Sequence, residues 1–166
     1  MATEGTTTIA QDGKSITISR VYDAPKALVF SMFKEPEHVA KWWGPSSWPV
    51  DVCDIDFRPG GVWHYNMVGP NGEKAWGKAV YQEIDEPNKI VFRDAFSDEA
   101  GNENNDLPTG ISTVTFEEQD GKTTLTLHGE YKTVEEREKI VAMGMLEGMK
   151  ETWGLLDDLL KTVQNK

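Results

Sequence analysis

The chain has 166 residues, 28 of them acidic and 17 basic, for a net charge of -11, and its hydrophobic content of 38% is that of an ordinary globular protein. This length fits one domain, and such a domain buries roughly 70% of its unfolded surface, so it needs no disulfide or metal staple. The acidic surplus repels phosphate backbones and anionic headgroups, which sets nucleic acid and membrane surfaces aside as partners, and the single cysteine, Cys53, permits neither an internal disulfide nor a multi-cysteine metal site.

Residues 1–11 carry no basic segment and no apolar run, so no signal peptide is expected. No window approaches the ~18 apolar residues of a membrane span. A soluble, cytoplasmic, single domain over residues 1–166 follows as the default expectation. Asp12-Gly13 marks a turn, and Ile16 and Ile18 then alternate with Thr17 and Ser19 into Val21-Tyr22, a strand with one buried face. Residues 1–12 are expected to be flexible or to fold back as an N-terminal hairpin strand through Thr6 to Ala10. Asp23 is placed as an N-cap with Pro25 in the first turn of a helix, on which Leu28, Val29, Met32 and Phe33 share a face. Pro36 begins a second short helix, which Gly44-Pro45 stops after Trp42-Trp43.

A meander follows. Strands are predicted over Val50–Phe57, Val62–Val68, Ala75–Ile84 and Ile90–Phe96, separated by turns at Pro59-Gly60-Gly61, Gly69-Pro70-Asn71-Gly72 and Glu86-Pro87-Asn88. In the second of these strands Trp63, Tyr65 and Met67 point one way, His64 and Asn66 the other. In the third, Trp76 shares a face with Val80 and Ile84. Ser97 to Pro108 is a long acidic loop, a candidate gate. Ile111–Glu118 and Thr123–Tyr131 flank Asp120-Gly121, a strong hairpin signal.

From about Val134 the chain reads as one long helix. With Met149 at zero and ~100° per residue, Ala142, Met145, Leu146, Trp153, Leu156, Leu160 and Val163 fall within about 60° of it. Glu147, Glu151, Asp158 and Lys161 lie opposite. Gly144, Gly148 and Gly154 each cost such a helix about 1 kcal/mol relative to alanine. Gly144 and Gly154 fall on its polar side, where close packing does not explain them.

No catalytic or metal constellation stands out. His38, His64 and His128 have no ligand spacing, and no Ser-His-Asp or Cys-His arrangement is evident. Arg58-Pro59-Gly60-Gly61 lacks the phosphate-loop pattern and reads as a turn. Cys53 alternates with Ile55 and Phe57, so it is expected to face inward as an inert thiol. Asp51, Asp54 and Asp56 read as a solvated face.

The order strand, two short helices, six strands, long helix resembles the helix-grip fold of the START-like, or SRPBCC, superfamily. Four motifs narrow the resemblance: Tyr22-Asp23-Ala24-Pro25 with Leu28-Val29-Phe30, Pro36-Glu37-His38-Val39 with Trp42-Trp43-Gly44-Pro45, Asp56-Phe57-Arg58-Pro59-Gly60-Gly61, and Gly148 to Leu160 around Trp153. Together they resemble the family named for the activator of heat-shock protein 90 ATPase, in its single-domain bacterial form, from about Ser15 to Val163. The resemblance implies an α+β domain in which a curved antiparallel sheet of about seven strands grips a long C-terminal helix over an apolar cavity. Relatives in the superfamily include lipid carriers, hormone binders, aromatase/cyclases and chaperone partners. The eukaryotic ATPase activator makes much of its chaperone contact through a separate N-terminal domain, which this sequence does not show ahead of Ser15.

The expectation is therefore a non-enzymatic protein that holds a small hydrophobic or aromatic molecule, lipid-, polyketide- or flavonoid-like. Its ten candidate lining residues are Trp42, Trp43, Cys53, Trp63, Tyr65, Trp76, Phe92, Met145, Met149 and Trp153. Aromatic rings stack on flat ligands, and methionines adapt to irregular ones. The alternatives are a chaperone partner modulating a heat-shock protein 90 type ATPase and a polyketide cyclase or dehydratase. The second of these requires a titratable group in the cavity. No cofactor and no metal are expected, and the chain is expected to be a monomer.

Overall fold

The computed structural model describes residues 6–164. In chain order its elements are β1 Thr8–Asp12, β2 Ser15–Tyr22, α1 Lys26–Lys34, α2 Pro36–Trp42, β3 Val50–Ile55, β4 Val62–Val68, β5 Lys74–Asp85, β6 Lys89–Ser97, β7 Gly110–Gln119, β8 Lys122–Tyr131, α3 Val134–Ala142 and α4 Met145–Gln164. The eight strands form one curved antiparallel sheet in the order β1-β2-β8-β7-β6-β5-β4-β3. This is the helix-grip architecture, with one strand more than the predicted seven. The extra strand is the N-terminal hairpin: Thr8 pairs with Ser19 and Asp12 with Ser15. Among the described residues, no helix is long and apolar enough to cross a membrane.

Alternation in β2 shows how the sheet holds its last helix. Ile16, Ile18 and Tyr22 are buried on one face, and Arg20 shares their register. The Arg20 guanidinium is saved from isolation by Asp157 of α4, 2.8 Å away. Tyr22 Oη donates to the carbonyl of Trp153 at 2.8 Å. Trp153, Leu156 and Leu160 are buried against this surface, and each such side chain contributes roughly 1.5–3 kcal/mol. From Trp153 onward α4 is thus pressed onto a filled core.

Three local expectations change. Asp23 does not cap α1; Pro25, at φ -68° and ψ 152°, is the cap residue and has no side-chain cap bond. A residue before proline is disfavoured in the helical region, and the helix starts at Lys26, after Pro25. β3 stops at Ile55 instead of Phe57, because the chain tightens into the turn before β4. There Gly60 donates to the Tyr81 carbonyl at 2.8 Å, and a Cβ on Gly61 would collide with the Asp56 carbonyl.

The predicted single C-terminal helix is two. Thr133 caps α3 by accepting from the Glu136 amide at 3.0 Å, with Glu135 and Glu136 in the first turn. The break falls at Gly144, which has a φ of +89°. That left-handed conformation suits glycine alone, which accounts for a glycine on the polar side of the apparent stripe. Gly154 lies inside α4 with open space where its Cβ would stand, and nothing in the structure explains it. Gly154→Ala is expected to stabilise the fold by up to about 1 kcal/mol, whereas Gly144→Ala is expected to cost about 1–2 kcal/mol for placing a Cβ in the left-handed region. Urea denaturation of the two variants checks this; a shift of the same sign in both would contradict the assignment of the break to Gly144.

Candidate ligand cavity

Two strand pairs build the floor of a cavity. Tyr65 of β4 stands opposite Gly77 of β5, and Tyr131 of β8 opposite Gly110 of β7. Each ring leans over its glycine. A Cβ on Gly77 would collide with Cζ and Oη of Tyr65, and one on Gly110 would come within 2.7 Å of Tyr131 Cε1. Across from them, the first turns of α4 present Met145, Gly148, Met149 and Thr152, and a Cβ on Gly148 would meet nothing within 4 Å. Between floor and roof lies a cavity of about 370 Å³, open to solvent and within the size range of small-molecule sites. Its walls come from Trp43, Pro45 and Trp48 after α2, from Phe92 and Phe96 on β6, and from Ile140 and Met143 near the α3–α4 break.

One charged side chain faces this apolar space. Asp94 of β6 continues the every-second-residue register of Ile90, Phe92 and Phe96, which places it on the inner face. Among the described residues that line the cavity it is the only charged one. Its Oδ2 accepts from Ser112 Oγ at 2.8 Å. Burial pushes the carboxyl up to about 7, against the lowering effects of the Ser112 bond and the Arg93 charge. Arg93 itself turns to the other face of the sheet, where Glu103 accepts from both its terminal nitrogens at 2.7 and 2.6 Å. Burial, and after it the charge of Asp94, raises the Tyr65 and Tyr131 phenols well above their ordinary range, so both remain neutral.

The ten predicted lining residues separate into two groups. Trp43, Tyr65, Phe92, Met145 and Met149 border the cavity. Trp76 also stands at its wall, but its indole stacks on His64, with ring centres 4.9 Å apart. His64 alternates with Trp63 and Tyr65, so that stack lies on the opposite face of the sheet. Trp42, Cys53, Trp63 and Trp153 are not among the residues that line the cavity. Trp42 is fully buried, with Nε1 donating to the Met32 carbonyl at 2.9 Å and its ring against Phe33. Trp63 is a second layer behind Trp43, 4.5 Å between centres, and behind Tyr65, 4.9 Å. Trp153 fills the core beside Tyr22. Cys53 sits half-buried on edge strand β3, where burial pushes its thiol up to about 11. It therefore stays protonated and unreactive near neutrality.

Sequence reasoning passed over Asp94, Ser112, Tyr131, Trp48, Phe96 and Met143. Asp94 and Phe96 were readable, since both continue the register of Ile90 and Phe92. Trp48 lies in a connection with no periodicity to read. The acidic loop is also placed differently from a gate. Glu103 bonds Arg93 and lies 3.3 Å from Lys78, and the Asp98 carbonyl is 2.9 Å from His64 Nε2. These ties clamp the loop to the outer face of the sheet, and from it only Pro108 reaches the cavity wall.

The Asp94 carboxyl makes a pH prediction. It holds its proton up to about 7 in the folded chain, against about 3.9 in an unfolded one. Between those values folding takes up a proton, so the stability from this group is greatest below about pH 4, falls as pH rises to about 7, and stays low above. Asp94→Asn is expected to leave stability nearly unchanged at about pH 4 and to raise it at about pH 8, on the order of 2–4 kcal/mol. Denaturant titrations at both pH values test this, and an equal difference at the two would contradict it.

Comparisons with known proteins agree with the fold. The family described as "Activator of Hsp90 ATPase homolog 1-like protein" matches residues 23–161. A Mycobacterium smegmatis protein of known crystal structure is 37% identical, with a TM-score of 0.86, over 93% of this chain and 97% of that one. An Arthrobacter aurescens protein solved by NMR is 31% identical, with a TM-score of 0.88, over 93% and 91% of the two chains. A Staphylococcus epidermidis protein, also solved by NMR, is 29% identical, with a TM-score of 0.82, over 93% and 94%. No curated protein matches the chain. With most of its length matched by the family and its fold shared with these structures, the chain belongs to the family of Activator of Hsp90 ATPase homolog 1-like proteins.

Proposed function

We propose that this protein binds a small apolar or aromatic molecule between its sheet and the first half of α4. One observation carries the reading: a cavity of about 370 Å³ is held open by tyrosines leaning over glycines, and is roofed by methionines instead of being filled. START-like folds commonly bind hydrophobic ligands. Trp43, Tyr65 and Phe92 line the space with aromatic rings suited to a flat ligand, and Met145 and Met149 add side chains that adapt to its outline. Binding would be driven by desolvation, at about 25 cal/mol per Å² of apolar surface buried, less the cost of immobilising the ligand.

Asp94 favours a second reading, because it supplies the titratable cavity group that a cyclase or dehydratase requires. In that case Asp94→Asn abolishes turnover of a polyketide-like substrate while binding persists.

Met149→Trp places a larger ring in the cavity. An apolar aromatic library followed by heteronuclear NMR is expected to give saturable shifts around Tyr65, Phe92 and Met149. In Met149→Trp the affinity of each hit is expected to fall at least about tenfold, with the thermal transition retained. Unchanged affinity, or no hits from a broad library, would overturn the ligand-binding reading. A chaperone-modulating role predicts a different outcome, stimulated ATP hydrolysis by a heat-shock protein 90 that Met149→Trp leaves intact.

A further inference from the structure

We propose that the cavity's ligand carries a single basic amine, seated as its ammonium against Asp94, with its apolar body between the ring-lined wall and the methionine roof. This rests on the reading of the cavity as a ligand site and names the chemistry that site selects.

Three observations lead there. First, the charge in the cavity is one-sided. Asp94 is the only charged side chain among the described residues that line it, and no lysine, arginine or histidine faces it there. An anionic ligand, whether a fatty-acid carboxylate or a phosphate headgroup, would meet a like charge with no cation to offset it. The nearest cation in sequence, Arg93, is turned to the opposite face and already bound twice by Glu103.

Second, Asp94 has one oxygen engaged and one available. Ser112 donates to Oδ2, while no hydrogen bond reaches Oδ1 from the described residues, and Oδ1 is not among the sealed, unpaired polar atoms. It thus keeps surface in a cavity that Asp94 helps to line. The other groups facing this carboxyl are uncharged: Tyr65 from β4, Ser112 from β7 and Tyr131 from β8. From α4 the hydroxyl of Thr152, also on the cavity wall, is committed to the Met149 carbonyl at 3.2 Å. A donor is missing at Oδ1, and the ligand is the group placed to bring it.

Third, the surroundings suit a cation in particular. Trp43, Tyr65, Phe92 and Tyr131 all line the same space, and a desolvated cation gains from aromatic rings that turn a face to it. The net charge of -11 adds a field that draws cations toward the protein. A neutral hydroxyl would satisfy Oδ1 but would gain nothing from the rings or the field. A charge-assisted bond is also about twice as strong as a neutral one.

A matched set tests the idea: phenethylamine, phenethyl alcohol and phenylacetate, titrated by NMR into the full chain and its Asp94→Asn variant. At about pH 8 the amine is expected to bind at least tenfold tighter than the alcohol, with phenylacetate weakest. In Asp94→Asn the amine is expected to lose at least tenfold while the alcohol changes less than about twofold. In the unsubstituted protein the amine's affinity is expected to rise as Asp94 ionises between about pH 5 and 8, a readout that needs no variant to fold. Equal affinity for amine and alcohol, an amine advantage that survives Asp94→Asn, or no pH dependence overturns the amine assignment and leaves the ligand site standing. Failure of all three probes and of a broad apolar library overturns both.

Discussion

A tyrosine ring can lean across a sheet only where the neighbouring strand carries no side chain beneath it. Tyr65 over Gly77 and Tyr131 over Gly110 meet that condition twice on one face. If either glycine were alanine, its ring would have to lift toward α4 and into the cavity. The glycines thus act as a spacing device. They lower the floor, and the unfilled position at Gly148 raises the roof. Methionines, which tolerate irregular surroundings, border the remaining volume at little packing cost.

The helix serves two ends of one structure. From Trp153 onward it is fixed by Trp153, Leu156 and Leu160, by the Tyr22 bond and by the Arg20–Asp157 pair. Its N-terminal half stands over the cavity and begins at the left-handed Gly144 joint. Because the far half is anchored, the near half need not collapse onto the sheet. The carboxyl of Asp94 then sits in low-dielectric surroundings, where the Ser112 bond and, after it, the Arg93 charge support its ionised form only in part. That arrangement costs stability at neutral pH. Packing alone does not account for such a group, which is why the proposed amine site is built on it.

Much of the architecture was legible. Period-two runs located the meander, Asp120-Gly121 marked its last hairpin, and the stripe through Met149 and Trp153 identified the buried face of α4. The site was only partly legible. Periodicity reports which face of an element turns inward, but not whether the space it faces is full. Trp153 and Met149 share a stripe, yet one is sealed in the core and the other borders the cavity. Trp63 and Tyr65 share a strand face, yet Trp63 is covered by Trp43. The difference arises from cross-strand pairing, which is set by residues far apart in sequence. Asp94 was the opposite case, a carboxylate in an apolar register, readable along the chain without any pairing knowledge.

On the proposed reading, ligand enters under the first turns of α4 and not beneath its end. Intermolecular NOEs from a bound aromatic molecule measure this directly. The account predicts transfer from ligand protons to the methyl groups of Met145 and Met149, and none to those of Leu156 and Leu160. NOEs to Leu156 and Leu160, or a uniform scatter over surface methyls, would contradict it.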